Sequence, residues 1–186
     1  MNYYAVQVWT GKEDEFVENL VANQNVTLTP LVPKRAVMVR RKKKNCREEK
    51  PLFPGYVFLG IDSYELENTQ RWNVRATKFF IRFLPTTIDP IAVKEQDKRL
   101  LAHFMSFGKV ADISKVTFDD DERIVVIEGP LKGLEGKIIK VNIRKHRAKV
   151  RLDMCENSFL IDLGFEIIDR AVKGPGDADG QQTRES

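Results

Sequence analysis

The sequence predicts an α+β protein, a ferredoxin-like βαββαβα unit followed by a small β-barrel of roughly 50 residues. Three observations carry this reading. Period-two strands alternate with helical periods as far as residue 108. From Arg123 the texture turns to short β-rich runs with glycine-rich turns and no helical period. Between them, residues 109–122 (KVADISKVTFDDDE) read as a flexible linker ending in an acidic cluster. The expected organisation is therefore 1–108, a linker at 109–122, a barrel at 123–170 and a disordered tail at 171–186, which is polar and offers nothing to bury.

Residues 3–9 (YYAVQVW) alternate, with Tyr4, Val6 and Val8 on one face and Tyr3, Gln7 and Trp9 on the other. Thr10 and Glu13 have the spacing of a capping box, and Phe16, Val17, Leu20 and Val21 follow at helical intervals, predicting a helix over 13–24. Residues 35–43 predict a strand and 44–54 a loop ending in Leu-Phe-Pro. In 55–61 (GYVFLGI), Val57, Leu59 and Ile61 alternate with the aromatic Tyr56 and Phe58. Ser63 is placed to cap a short helix reaching Trp72, and 78–84 (KFFIRFL) predicts a strand with Phe79, Ile81 and Phe83 opposite Phe80, Arg82 and Leu84. A last helix over 94–107 carries Leu100, Leu101, Phe104 and Phe107, with Gly108 as its terminating residue. The barrel strands are IVVIE, KIIKVNI, HRAKVRL, SFLIDL and FEII.

Charge is segregated. The chain of 186 residues holds 31 Lys+Arg against 27 Asp+Glu, a formal net charge of +4. Residues 34–47 (KRAVMVRRKKKNCR) hold eight basic side chains and no acid, and residues 137–151 (KIIKVNIRKHRAKVR) hold seven and none. Outside these stripes the balance is −11. An acidic protein carrying two cationic stripes points to polyanion contacts.

Other function classes are set aside. No apolar run approaches the roughly 18 residues of a membrane span, and the N-terminus lacks the pattern of a signal peptide. Cys46 and Cys155 with His103 and His146 form no metal-ligand spacing, so no metal or cofactor is expected. No phosphate-binding glycine loop, zinc-protease helix or nucleophile elbow is present, which argues against an enzyme.

Three features carry function. If helices cover the aliphatic face of the sheet, the opposite face presents Tyr3, Trp9, Tyr56, Phe58 and Phe80, and contiguous exposed rings mark a partner surface. The barrel, a dimer partner or the third helix could equally cover them. The segment GPLKGLEGKIIKVNIRKHRAKV (129–150) combines turn-forming Gly129, Gly133 and Gly136 with Lys137, Lys140, Arg144, Lys145, Arg147 and Lys149, and Arg151 follows directly. Phosphate contact and a solvated barrel face weigh about equally there. The run Arg40, Arg41, Lys42, Lys43 and Lys44 repels itself unless a polyanion lies near.

At these residues the chain resembles the NusG family of transcription elongation factors. The opening YYAVQVWTGKE (3–13) and LFPGYVFLGI (52–61) are similar to its N-terminal (NGN) domain, and VVIEGPLKGLEGKIIKVNIRKHRAKV (125–150) is similar to its SH3-like KOW domain. The resemblance implies docking of the aromatic face on the clamp-helix coiled coil of the largest RNA polymerase subunit, through Phe53, Tyr56, Phe58 and Phe80 with Tyr3, Gln7 and Trp9 alongside. It implies that residues 40–44 lie toward upstream DNA. It also implies that the barrel reaches RNA, a ribosomal protein or a termination factor.

One departure is informative. Family members with a general role close the barrel with a Phe-Gly-Arg, Pro-Val-Glu type of segment that meets protein partners. Here that stretch is RLDMCENSFLIDLGFEIID (151–169). This puts ribosomal-protein and termination-factor contact in doubt. The chain is closer to the LoaP-type antiterminators, whose barrel binds an RNA hairpin, and such RNA is the implied ligand of the 137–151 stripe. The expectation is a monomeric, cytoplasmic, non-enzymatic factor that suppresses pausing or termination. The alternative is a free-standing RRM-like RNA-binding protein, because that fold also shows aromatics on a βαββαβ sheet.

Overall fold

The computed structural model describes residues 1–22, 27–41, 44–63 and 65–168, with backbone alone at 40, 41, 44 and 45. The N-terminal unit contains β1 (Asn2–Val8), α1 (Glu13–Ala22), β2 (Thr29–Leu31), β3 (Lys34–Arg41), β4 (Lys44–Pro51), β5 (Tyr56–Ile61), α2 (Asn68–Ala76), β6 (Phe80–Phe83) and α3 (Glu95–Met105). After it come β7 (Val110–Ala111), β8 (Ser114–Phe118), β9 (Ile124–Glu128), β10 (Ile138–Asn142), β11 (Arg147–Met154) and β12 (Asn157–Ile167). The expected tail at 171–186 lies outside the described residues.

The main sheet has the order β2-β5-β1-β6, the ferredoxin-like arrangement, with every neighbouring pair antiparallel. Its central pair sets Val6 opposite Val57 and Tyr4 opposite Leu59. These side chains pack with Phe16 and Leu20 of α1 and Val74 of α2 into one core layer. Full burial of such a side chain stabilises by about 1.5–3 kcal/mol. The alternation read from the sequence thus faces the helices as expected.

Three local readings change. The strand expected at 35–43 is not a member of this sheet. Lys34–Arg41 and Lys44–Pro51 pair antiparallel as β3 and β4, turning the expected 44–54 loop into a strand as far as Pro51, and β7 joins the other edge of β3 in parallel. The short β2 supplies the missing sheet strand instead. In the third case, α2 starts at Asn68 rather than after Ser63, because Glu67 and Gln70 form a reciprocal capping box, whereas Ser63 donates to the Glu65 carbonyl.

The second unit is a five-stranded sheet of order β10-β11-β12-β8-β9. It begins at Ser114, inside the stretch expected to be a flexible linker. Ser114 and Val116 are buried, and β8 pairs with both β9 and β12. The acidic cluster is the β8–β9 turn, in which Asp119 Oδ1 accepts the backbone N–H of Asp121 (3.1 Å) and Arg123 (2.8 Å). Such side-chain to backbone bonding is what Asp supplies in turns. At Gly129 a Cβ would sit 2.7 Å from Ser114 Cα, so the strand crossing there admits only glycine.

Candidate docking and nucleic-acid surfaces

Phe53, Tyr56 and Phe58 are positioned by a tight turn. Gly55 adopts φ +81°, and its N–H donates to Glu13 Oε1 at 2.6 Å. Glu13 is itself buried, so its carboxylate serves this turn rather than the capping box expected with Thr10. The Gly55 carbonyl accepts from Val8 N at 2.8 Å, and Tyr56 N donates to the Phe53 carbonyl at 3.1 Å. A Cβ on Gly55 would lie 2.9 Å from Thr10 Oγ1, so positive φ and close approach both require glycine. The turn therefore fixes the direction of both flanking aromatics.

The aromatic face is covered. Phe58 is fully buried and Tyr56 is 7% exposed. They share a core with Leu101 and Phe104 of α3 and with Leu152 and Met154 of the barrel. Phe159, on β12, lies edge-on to Phe53 (centroids 5.2 Å, 77°) and to Tyr56 (5.1 Å, 85°). Each such pair is worth about 0.5–1.5 kcal/mol beyond area burial. Of the coverings weighed from the sequence, the structure uses two together, α3 and the barrel.

Polar contacts frame this apolar seam. The β11–β12 turn is Cys155-Glu156, both at positive φ (50° and 65°), the geometry of a tight two-residue hairpin. Cys155 N donates to Asp97 Oδ2 of α3 at 2.9 Å, and Glu156 pairs with Lys94 at 2.7 Å. A cavity of ≈ 70 Å³ lies beside the turn, lined by Ala5, Leu84, Val93 and Cys155 among others. Burial pushes the Cys155 thiol up to about 12, with Asp97 and Glu156 adding to the shift. Burial also raises the Tyr56 phenol, against the opposing charge of Arg82. On the far side of the seam His103 Nε2 meets the Pro130 carbonyl at 2.9 Å.

The other expected docking residues divide. Tyr3 packs against the shared core, and Gln7 accepts from Arg82 Nε at 2.8 Å. Trp9 is 59% exposed and leans on Phe79 at the sheet margin. Phe80 is on the wrong face: it packs against the helix-side core and meets Phe83 at 5.5 Å. A register shift between Gln7 and Val8 breaks the alternation of β6 against β1, which puts Phe80 and Phe83 on the same side.

The cationic residues also fall into place. Arg40, Arg41 and Lys44 lie on the backbone of β3 and β4, while Lys42 and Lys43 are outside the described residues. On the barrel, Lys137, Lys140, Arg144, Lys145 and Arg151 are exposed. Lys149 faces Asp162 at 3.6 Å, and Arg147 donates to the Met38 carbonyl. Arg35 reaches across in the same region to the Asp162 carbonyl, leaving its Nε buried without a partner. Burial lowers the Arg35 pKa; the Asp162 charge opposes this and the Arg147 charge adds to it.

Sequence reasoning missed Phe159, Asp97 and Cys155. Phe159 is in phase with the inward Ile161, Leu163 and Phe165 of β12, and that alternation was the available signal. What it could not reveal is that the end of this hairpin projects past the barrel onto the other unit. Among the described residues no helix is long and apolar enough to cross a membrane, and no group of His, Cys, Asp or Glu could hold a metal ion.

A ferredoxin-like sheet and a five-stranded barrel that share one aromatic core define a two-unit α+β protein. Comparison with known proteins makes this specific. The family profile described as transcription termination factor nusG matches residues 1–101. The transcription termination/antitermination protein NusG of Xylella fastidiosa is 26% identical over 88% of this chain and 95% of its own length. Those of Helicobacter pylori and Thermus thermophilus are 23% and 25% identical, each over 92% of this chain and 99% of theirs. A solved structure concerning domain interaction in Thermotoga maritima NusG aligns at TM-score 0.48 and 18% identity, over 88% of this chain and 93% of that one. The chain belongs to the NusG family. It is a transcription termination/antitermination factor, a regulatory protein rather than an enzyme.

Proposed function

We propose that this factor docks on the clamp-helix coiled coil of RNA polymerase through Phe53, Tyr56 and Phe58, with Tyr3, Gln7 and Trp9 at the margin, and suppresses pausing or termination. The observation that carries the reading is the chemistry of the face. Three aromatic side chains sit on one rigid turn and strand, and the barrel that covers them sits on its own sheet. Large rings with few rotors give contact area at small entropic cost. Because Phe159 occupies that face, docking requires the barrel to move aside.

The barrel then presents the 137–151 stripe to nascent RNA, while residues 40–44 face upstream DNA. The 151–169 segment supports an operon-selective, cytoplasmic antiterminator of LoaP type, since Phe159 and Cys155 within it are committed to the seam rather than to a loop for protein partners. Binding to an isolated clamp-helix coiled coil tests the docking assignment. Wild type is expected to bind and a folded Tyr56→Ala/Phe58→Ala double variant to lose binding; undiminished binding by that variant sinks the assignment.

A further inference from the structure

A flexible linker at 109–122, as read from the sequence, would let the barrel leave the sheet altogether. The fold replaces that linker with a stitch. Val110 and Ala111 pair in parallel with Lys34 and Arg35 of β3. Only Asp112 and Ile113 intervene before Ser114, Lys115 and Val116 pair in parallel with β12. Ala111, Ser114 and Val116 are buried, and β8 lies inside the barrel sheet between β12 and β9. From Ala111 to Ser114 the chain spans about 11 Å at full extension. With one strand spacing of about 4.8 Å at each end, β12 stays within roughly 20 Å of β3 as long as both pairings last.

Packing reinforces this edge. Gly164 of β12 lies so close that a Cβ there would stand 2.7 Å from Ile113 Cγ2 and 3.8 Å from the Ala36 carbonyl oxygen. Around this contact the two units exchange arginines: Arg35 donates to the Asp162 carbonyl, and Arg147 donates to that of Met38. Asp112 also pairs with Arg47 of β4 at 3.1 Å. The aromatic side is built differently, and no strand pairing crosses it among the described residues. It is held by the ring of Phe159, by the Cys155 N–H on Asp97, by His103 at the Pro130 carbonyl and by the Lys94–Glu156 pair. That pair is exposed on both partners and adds little. Phe159 lies five residues along β12 from Gly164, about 17 Å at the usual strand rise. A modest rotation at Gly164 therefore lifts the Phe159 ring clear while Ile113 stays in place.

We infer that the barrel is a hinged lid: it swings off Phe53, Tyr56 and Phe58 about the β3–β7 edge and stays fastened there through Ile113, Gly164, Arg35 and Arg147. The Cys155–Phe159 end is the moving side. An open lid remains beside the face it has uncovered, so reclosure is an intramolecular step at high effective concentration. That the lid has a reason to open rests on the proposed docking of the aromatic face; the position of the hinge does not.

Two tests use the full chain without polymerase and follow iodoacetamide alkylation of Cys155, which lies in the closed seam, by peptide mass spectrometry. In a Cys46→Ser background, Lys34→Cys/Val110→Cys places a disulfide between register partners on β3 and β7. Pinning a hinge leaves its lid free, so the Cys155 rate is expected to stay within about threefold of the Cys46→Ser parent. A larger fall means that the barrel must leave β3 in order to open, and overturns the hinge. The second variant inserts three Gly-Ser repeats between Asp112 and Ile113, lengthening the connector about fourfold. Loop-closure entropy then predicts alkylation about eightfold faster, because the short tether no longer favours closure. An unchanged rate in the folded insertion variant overturns the proposal as well. Failure of the docking assignment appears instead as retained clamp-helix binding by the Tyr56→Ala/Phe58→Ala variant, which neither rate reports, so the two readings fail separately.

Discussion

The ring of Phe159 stands edge-on to that of Tyr56, 5.1 Å between centroids and 85° between planes. One residue comes from the barrel and the other from the sheet, so this contact joins two elements about 100 positions apart in sequence. It also makes the exposure of Tyr56 a property of how the two units sit together, not of β5 alone.

Removing the Phe159 ring therefore weakens the seam. Losing two aromatic pairs and part of the buried area costs about 2–4 kcal/mol of closure. Phe159→Ala is expected to speed β5 amide exchange and to tighten binding to the clamp-helix coiled coil, measured by titration calorimetry against wild type. Equal binding would mean that the barrel does not obstruct the face.

Cys155 reports the same event chemically. Only the thiolate reacts with iodoacetamide, and burial holds this thiol at about 12. Exposed Cys46 should alkylate rapidly at pH 8 and Cys155 slowly, read by peptide mass spectrometry. Asp97→Ala leaves Cys155 N without its acceptor, a loss of roughly 1–3 kcal/mol, and should accelerate alkylation of Cys155 with little effect on Cys46.

The same thiol sets a pH dependence. Its value is raised in the closed arrangement, so the neutral form is the one favoured there. The contribution is complete below the ordinary 9.0 and is lost as pH climbs toward about 12. Seam opening, followed by tyrosine fluorescence quenching, is expected to increase over that window in wild type and to do so less in Cys155→Ser.

Gly55→Ala tests the turn that aims the aromatics. A side chain there meets φ +81° and Thr10 Oγ1 at 2.9 Å. The left-handed conformation alone costs about 1–2 kcal/mol. A lower urea midpoint is expected, together with weaker clamp-helix binding by the folded fraction, since Phe53 and Tyr56 flank the displaced residue.

Phe80 separates packing from docking. Because it belongs to the helix-side core with Phe83, Phe80→Ala should lower thermal stability by about 2–4 kcal/mol and leave the docking affinity of the folded protein unchanged. Weakened docking without loss of stability would return it to the contact face.

The two faces of the central strands were legible from residue pattern alone. Val57, Leu59 and Ile61 alternate with Tyr56 and Phe58, and a period of two is a local property that the pleat imposes. The ferredoxin-like class, the cationic stripes and the resemblance to the NusG family followed from short segments, although the strand read at 35–43 lies outside the main sheet and β2 takes its place. Tertiary structure decided the rest. A one-residue irregularity between Gln7 and Val8 turned Phe80 to the other face, and no side-chain pattern announces a bulge of that kind. Residues 114–118 looked like linker because their partners, β9 and the end of β12, come later in the chain. The same holds for the seam. That Phe159 covers Tyr56, and that Arg147 reaches Met38, depends on the placement of one sheet against another, which is set by summed apolar burial and not by the identity of any neighbour in sequence. The chain by itself determined that an aromatic face and two cationic stripes exist; only the fold determined that the first is covered and the other two meet.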